Sequence, residues 1–426
     1  MPGHLTGCPM QETTCLAVRR ITASWIWLLV LYSIASFIEA MFWGQMGSFT
    51  PLYLTRLGIA ETDVARWTGL IVVFASAIGL PFLPLWGALA DRYSRQPIIV
   101  RSFVAHLLAG VVSLLARNVW VFIIGRSIMS FALGNSGLMM TTLSERAPRN
   151  RTGLAFSIMN SAAPIGAFVG PLLGGPIVDA YGFPTLLLID STAMLLVILA
   201  LTFGYRDNFK GTNRGSIPRM MADSVKLIWN SRRLRTLLPA LFLLFGGWMM
   251  VVTYVPLAVK QLYQGDDLNT AVGIVMGVGG LVTLVLSPII GALADRIGHW
   301  RMLTIGSTMT IILWPVPALT RDLTSFMIAW ALLNGMVSSV FALSFSVLSS
   351  SATSEVRGRV MSFAYLPVNI GGLIGPAIGS ILTQYSLFAV FPAAAVFTLC
   401  GLGVLVVARR QPIINPEIAP APMSGA

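Results

Sequence analysis

Long apolar runs fill this chain, and short polar loops separate them. Each run covers about 20 residues or more, enough to cross a bilayer as a helix. Twelve are readable, at 21–48, 67–90, 97–116, 119–142, 153–178, 183–205, 237–260, 270–294, 301–320, 323–349, 359–383 and 386–408. They are apolar on every side, so each needs lipid or other helices all round. A polar, basic stretch at 206–236 divides them into six and six.

The two halves repeat one another. Gly87-Ala88-Leu89-Ala90-Asp91-Arg92 recurs as Gly291-Ala292-Leu293-Ala294-Asp295-Arg296, each where an apolar run gives way to a short basic loop. Gly166-x-x-x-Gly170-Pro171-x-x-Gly174 recurs as Gly371-x-x-x-Gly375-Pro376-x-x-Gly379. Subtraction gives offsets of 204 for the first pair and 205 for the second. Two motifs in one order at one spacing are an internal duplication. Duplicated membrane halves point to alternating access about a central site. The predicted fold is all-α and membrane-embedded: twelve transmembrane helices in two six-helix bundles.

Composition agrees: 56% of residues are hydrophobic and 10% charged, against roughly a quarter charged in soluble domains. The net charge of +12 would elsewhere suggest nucleic acid, but its distribution reads as topology. With a cytoplasmic N-terminus, 22 of the 28 basic residues fall inside, eight of them between Arg206 and Arg235. Only Arg56, Arg66, Arg117, Lys260 and Arg321 fall outside, and Arg126 lies within a span. The positive-inside rule therefore predicts both termini in the cytoplasm of a cell inner membrane. No cleavable signal peptide is readable. Cys8, Cys15 and Cys400 have no paired spacing, so neither disulfide nor metal site is expected.

The predicted organisation is an N-tail (1–20), a first bundle (21–205), a central cytoplasmic loop (206–236), a second bundle (237–408) and a disordered tail (409–426). Within the loop, Met220–Arg235 can form an amphipathic helix at the anionic inner leaflet.

Six-plus-six spans, a long central loop and the Gly-x-Leu-Ala-Asp-Arg signature resemble the major facilitator superfamily. Pro51-Leu52-Tyr53-x-x-x-Leu57-Gly58 and the Gly-Pro element of the fifth span resemble its bacterial drug:proton antiporters, which are multidrug exporters with twelve helices. The resemblance implies a conformational gate at Gly87, Asp91, Arg92 and Arg95, with Asp295 and Arg296 serving likewise. It implies an antiporter-type element at Gly166, Gly170, Pro171, Gly174 and Gly175. A monomer driven by the proton gradient, without cofactor, is expected. Gly298 is followed by His299-Trp300, where small or basic residues are usual in the family.

The physical reading of these motifs is compatible. Gly87 permits close approach, and Asp91 one turn later can cap a helix N-terminus or pair with an arginine. Glycines four apart make a smooth packing groove, and Pro171 bends its helix.

Ionisable residues inside spans are functional candidates by default. Glu39 in the first span and Arg126 in the fourth each sit seven or eight residues from the outer end, about 10–12 Å deep. They are expected to meet, as a pair whose separation binds or releases a proton. Arg126 also matches the family's fourth-helix arginine, although Ser130 stands where a glycine is usual. Asp190 reads as a structural group as readily as a functional one, and His106, a lone histidine on a peripheral helix, reads first as hydrogen-bonded scaffolding. Trp43, Asn135, Trp248, Tyr254 and Asn334 are expected to line a cavity for apolar ligands.

The expected function is proton-coupled export of lipophilic or cationic small molecules, its partners being bilayer, substrate and protons. The alternative is a coupled or facilitative carrier of a polar metabolite or sugar. No nucleophile–base pair, metal cluster or phosphate loop is readable, so neither an enzyme nor an ATP-driven pump is expected.

Overall fold

The computed structural model describes residues 10–80, 95–132, 135–148, 150–205, 229–353, 360–361 and 364–412, with side chains from Trp25 onward. Among these residues the chain is helical, with no strand. The helices are α1 (Met10–Tyr53), α2 (Val64–Gly79), α3 (Arg95–Leu114), α4a (Val119–Met129), α4b (Asn135–Arg146), α5 (Thr152–Tyr181) and α6 (Phe183–Phe203). The second half comprises α7a (Arg232–Val252), α7b (Val255–Leu262), α8 (Leu268–Ile297), α9 (His299–Leu313), α10 (Leu323–Ser350), α11 (Leu366–Leu382) and α12 (Val390–Arg409). Among the described residues, eleven helical segments are long and apolar enough to span a membrane, and α11 is a shorter apolar helix.

Local chemistry sets the helix ends. Gly182 (φ 84°) and Gly298 (φ 98°) take left-handed conformations that let α5 turn into α6 and α8 into α9. Asn118, Ser231 and Asp322 cap α4a, α7a and α10, each accepting from an amide three residues on. The Ser325 hydroxyl and amide hold the exposed Asp322 carboxyl below its usual range.

The fourth span is broken. A 3-10 turn at Ser130–Ala132 separates α4a from α4b. The Ser130 hydroxyl donates to the Ala75 carbonyl of α2 at 2.6 Å. The serine in the usual glycine place thus ties the bend to α2.

Within the first half α1 packs along α5, and within the second α7a packs along α11. The halves meet where α5 packs on α8 and α2 on α11. Under the repeat these two contacts are equivalent, since α2 corresponds to α8 and α5 to α11. Trp27 Nε1 of α1 donates to the Gly204 carbonyl beyond α6, and Arg233 of α7a donates to the Gln411 carbonyl beyond α12. These bonds mark one end of the molecule, called here the termini face. The loops α1–α2, α5–α6 and α7–α8 lie at the far face.

Candidate functional site

Helix α1 is the axis of the site. Phe37, Met41 and Gln45, four residues apart, lie along α5. A methyl at Gly166 would strike the Phe37 carbonyl, one at Gly170 the Met41 backbone, and one at Gly174 Phe49 and Gln45. The glycine row is therefore a contact surface for α1, sealed further by Gln45 Nε2 donating to the Gly170 carbonyl at 3.1 Å. Gly175 faces Asn269 and Thr270 of α8 instead, and the Pro171 carbonyl faces Gly273. The fifth-span element thus wedges α5 between α1 and α8.

Two residues on from Phe37 is about 200° of helix rotation, so Glu39 points away from α5. Its Oε2 accepts from Asn135 Nδ2 of α4b at 2.7 Å. Its Oε1 lies 3.8 Å from His106 Nε2 of α3. The carboxylate is 14% exposed and the imidazole fully buried. His106 Nδ1 is 3.0 Å from the Ser102 carbonyl. The rings of Phe42, Trp43 and Phe103 surround the imidazole at 5.8, 6.2 and 6.4 Å.

The expected Glu39–Arg126 pair is not formed. Arg126 sits over the Trp43 ring at 5.9 Å, with Nη1 3.3 Å from Met129 Sδ and Nε buried without a partner. Trp43 is one turn beyond Glu39 towards the far face. The first helix runs on to Tyr53, so Glu39 lies 14 residues from its outer end, whereas Arg126 lies seven residues from Val119. Asn135, beyond the break at Ser130–Ala132, stands opposite Glu39 instead.

The second half places different chemistry on the same frame. Gly371 and Gly375 of α11 face Gly246, Gly375 also Met250, and Gly379 faces Tyr254 at the bend after α7a. The same stretch of α7a reaches α10. There Trp248 Nε1 donates to Asn334 Oδ1 at 3.3 Å, and Asn334 Nδ2 donates to the Gly279 carbonyl and Thr283 Oγ1. Phe341 packs on Trp248 at 5.6 Å. Tyr254 does not line a cavity as expected. It is 1% exposed, and its hydroxyl donates to the Pro376 carbonyl at 3.1 Å against Gly69. Its large ring fills the α2–α11 seam.

The far face is closed between halves. Asp179 at the end of α5 accepts from Asn269 N and Nδ2 and from Thr270 N and Oγ1, at 2.6 to 3.1 Å. A carboxylate from one half thus caps the N-terminus of α8 in the other. Lys260 Nζ reaches Glu61 Oε2 across the same face at 2.7 Å. Gly277 and Gly280 receive Leu172 and Phe168. Towards the termini face, α5 exposes Leu154 and Ile158, and α8 exposes Ile289 and Leu293. A cavity of about 500 Å³ opens there, lined by Ser33, Ile34 and Phe37 of α1 and by Ser157, Ile158 and Ser161 of α5.

Of the gate residues, Gly87, Asp91 and Arg92 lie outside the described residues. Arg95 is buried and makes two bonds to Glu145 at 2.7 and 2.8 Å, within the first half. Asp295 and Arg296 are exposed, and Asp295 lies 3.3 Å from His299, which gives the unusual loop residue a partner. Asp190 is buried, with Oδ2 unbonded. No sequence motif marks Glu145 or pairs His106 with Glu39. Asp179 had one readable signal, a carboxylate four residues beyond Gly175 at a span end.

A two-bundle helical repeat with polar groups buried at its centre and one face sealed between the halves defines a membrane transporter. The comparisons narrow this class: the Major Facilitator Superfamily profile matches residues 32–316 and again 258–422. The chain belongs to that superfamily. It is 25% identical over 384 residues to the multidrug resistance protein MdtG of Salmonella arizonae, covering 88% of this chain and 92% of the relative. The same figures hold for MdtG of Salmonella typhimurium. Among solved structures, the POT family transporter PepTSo superposes with TM-score 0.72 at 15% identity, over 90% of this chain and 97% of that one. A POT family transporter in complex with a thioalcohol-conjugated peptide gives 0.70 at 14%, over 92% and 96%. At such identities these structures speak to the fold alone. Family and relatives are transporters rather than enzymes.

Proposed function

We propose that this protein is a proton-coupled exporter of lipophilic or cationic small molecules, working by alternating access. The observation that carries the reading is Glu39: a lone carboxylate at mid-span, partly exposed, hydrogen-bonded to Asn135, and next to an exposed aromatic, Trp43. A carboxylate inside a membrane is costly to keep unless it serves ions or substrate. One acid can take a proton or a cation, but not both, and that exclusion is the basis of antiport. The indoles of Trp43 and Trp248 offer flat apolar surface, and an indole face also attracts cations. The name of the Salmonella relatives, multidrug resistance protein, agrees with this reading.

The termini face is the cytoplasmic face of the inner membrane, by the excess of Lys and Arg on that side. The structure then corresponds to a state open inward and shut outward, in a chain that acts as a monomer and needs no cofactor. Asp179 on the cap of α8 is the outward latch. Asp91, with Gly87, Arg92 and Arg95, and Asp295 with Arg296, form the inward latch of the opposite state. In the inward-open state Arg95 is held by Glu145 instead. The glycine row Gly166, Gly170, Gly174 and Gly175, with Pro171, lets α5 shift against α1 and α8 without opening a leak.

The test is dye efflux in inverted membrane vesicles under an imposed pH gradient, with a panel of cationic and neutral lipophilic dyes. Wild type should move the cationic dyes in a gradient-dependent way, and Glu39→Gln should not. Undiminished gradient-driven transport in the variant removes Glu39 from the mechanism. No dye transport by wild type, with saturable uptake of one polar metabolite, replaces the exporter by a metabolite carrier.

A further inference from the structure

We propose that His106 completes the proton site: the coupling proton sits on Glu39 Oε1 and is held there by the lone pair of His106 Nε2. The proposal rests on the reading of Glu39 as proton carrier, and it fixes which oxygen carries the proton and what receives it.

Hydrogen bonds around the pair determine the arrangement. Asn135 Oδ1 accepts from the Ser136 amide at 2.9 Å, which fixes the orientation of the side-chain amide. Its Nδ2 therefore faces Glu39, and Oε2, 2.7 Å away, is an acceptor. In the protonated carboxyl the hydroxyl is then Oε1, the oxygen turned towards His106. On the imidazole, Nδ1 faces the Ser102 carbonyl at 3.0 Å and must carry hydrogen to bond it. Nε2 of the neutral ring is left with a lone pair, fully buried, with no hydrogen-bond partner, 3.8 Å from Oε1. A buried nitrogen without a partner is uncommon and calls for an explanation. A hydroxyl on Oε1 supplies the missing donor once the gap closes by about 1 Å, a carboxyl rotation rather than a helix movement.

The ionisable groups on the surrounding elements do not compete for Nε2. Arg126 of α4a is beyond the Trp43 ring, and Glu145 of α4b is bound to Arg95 at the end of α3. Arg146 on α4b lies over Tyr205, Arg101 on α3 reaches the Ser102 hydroxyl, and Asp190 of α6 has no bond to the ring. Proton balance is simple. Dye-free Glu39 holds one proton between Oε1 and Nε2. Arrival of a cation at the exposed edge of Glu39 releases that proton to solvent and leaves carboxylate and neutral imidazole.

The test uses purified full-length protein and tetraphenylphosphonium, reading protons released per cation bound at fixed pH in weak buffer. His106→Asn keeps a donor near the Ser102 carbonyl but has nothing at the Nε2 position. Release should fall at least about twofold and gradient-driven export about tenfold or more. Gradient-independent exchange, which needs no proton, should stay within about threefold. A merely structural His106 would lower exchange and export together. Wild-type release and export in His106→Asn overturn the proposal, and if Glu39→Gln is inactive they leave the reading of Glu39 standing. Should His106→Asn not fold, nitrogen NMR of histidine-labelled wild type decides. A proton on Nδ1, with an Nε2 signal that moves when the cation binds, supports the site, whereas a proton on Nε2 overturns it.

Discussion

The two halves share one scaffold and differ in what they bury. In each, a helix with a row of glycines (α5 or α11) presses against the first helix of its bundle. On that first helix the first half carries Glu39 and the second Trp248. Both reach an asparagine on the fourth helix of their bundle, Asn135 or Asn334. Around Glu39 the first half adds His106 and Arg126 in its interior, whereas the segment 236–259 of α7 and all of α10 and α11 carry no Asp, Glu, His, Lys or Arg. Duplication thus preserved packing, which both halves need, and left titratable chemistry to one. The proposed division of labour is proton handling in the first half and ligand surface in the second.

The comparison is broken most severely by exchanging roles. Glu39→Gln should reduce gradient-driven export by about a hundredfold or more, the scale expected for loss of a proton-transferring group. Trp248→Phe should leave coupling intact and weaken dye binding by no more than about tenfold, the scale of an indole's hydrogen bond. Parallel transport and binding assays on both variants check this, and equal coupling defects would end the asymmetry.

The shared packing is tested by Gly170→Ala and Gly375→Ala. In both, the new methyl meets backbone of the first helix of its own half, the Met41 carbonyl or that of Gly246. Each should cost about 1–3 kcal/mol through overpacking, read as a matched fall in Tm. A loss confined to one half would show that the glycine rows are not equivalent.

Asp179→Ala removes four hydrogen bonds between the halves and should favour opening of the far face by about 1–2 kcal/mol. Spin labels at the exposed Leu115 and Leu319, on a background lacking Cys8, Cys15 and Cys400, would report a larger population at long distance. Lys260→Ala breaks only an exposed pair with Glu61 and should change the same distribution by less than about 0.5 kcal/mol.

Much of the architecture was legible from the chain. Uniformly apolar runs can be satisfied only by lipid or other helices, so the spans followed directly, and the two repeated motifs supplied the halves. Glu39 and Arg126 stood out because charge within a span is rare. Their relation to each other was not legible. It depends on where the first helix ends, at Tyr53 rather than near Gly47, which sets Glu39 deeper than Arg126. Tyr254 was misplaced for a related reason: periodicity gives a face of the helix but not which neighbour occupies it. The latch at Asp179 joins residues some 90 apart, and sequence spacing within one helix carries no trace of such a contact.

Proton release on ligand binding tests the central claim most directly, because it requires neither a gradient nor turnover. Tetraphenylphosphonium binding to purified protein in weakly buffered detergent solution should release close to one proton from wild type and from Trp248→Phe, and none from Glu39→Gln. Equal release from wild type and Glu39→Gln would contradict the account and place the coupling proton elsewhere in the chain.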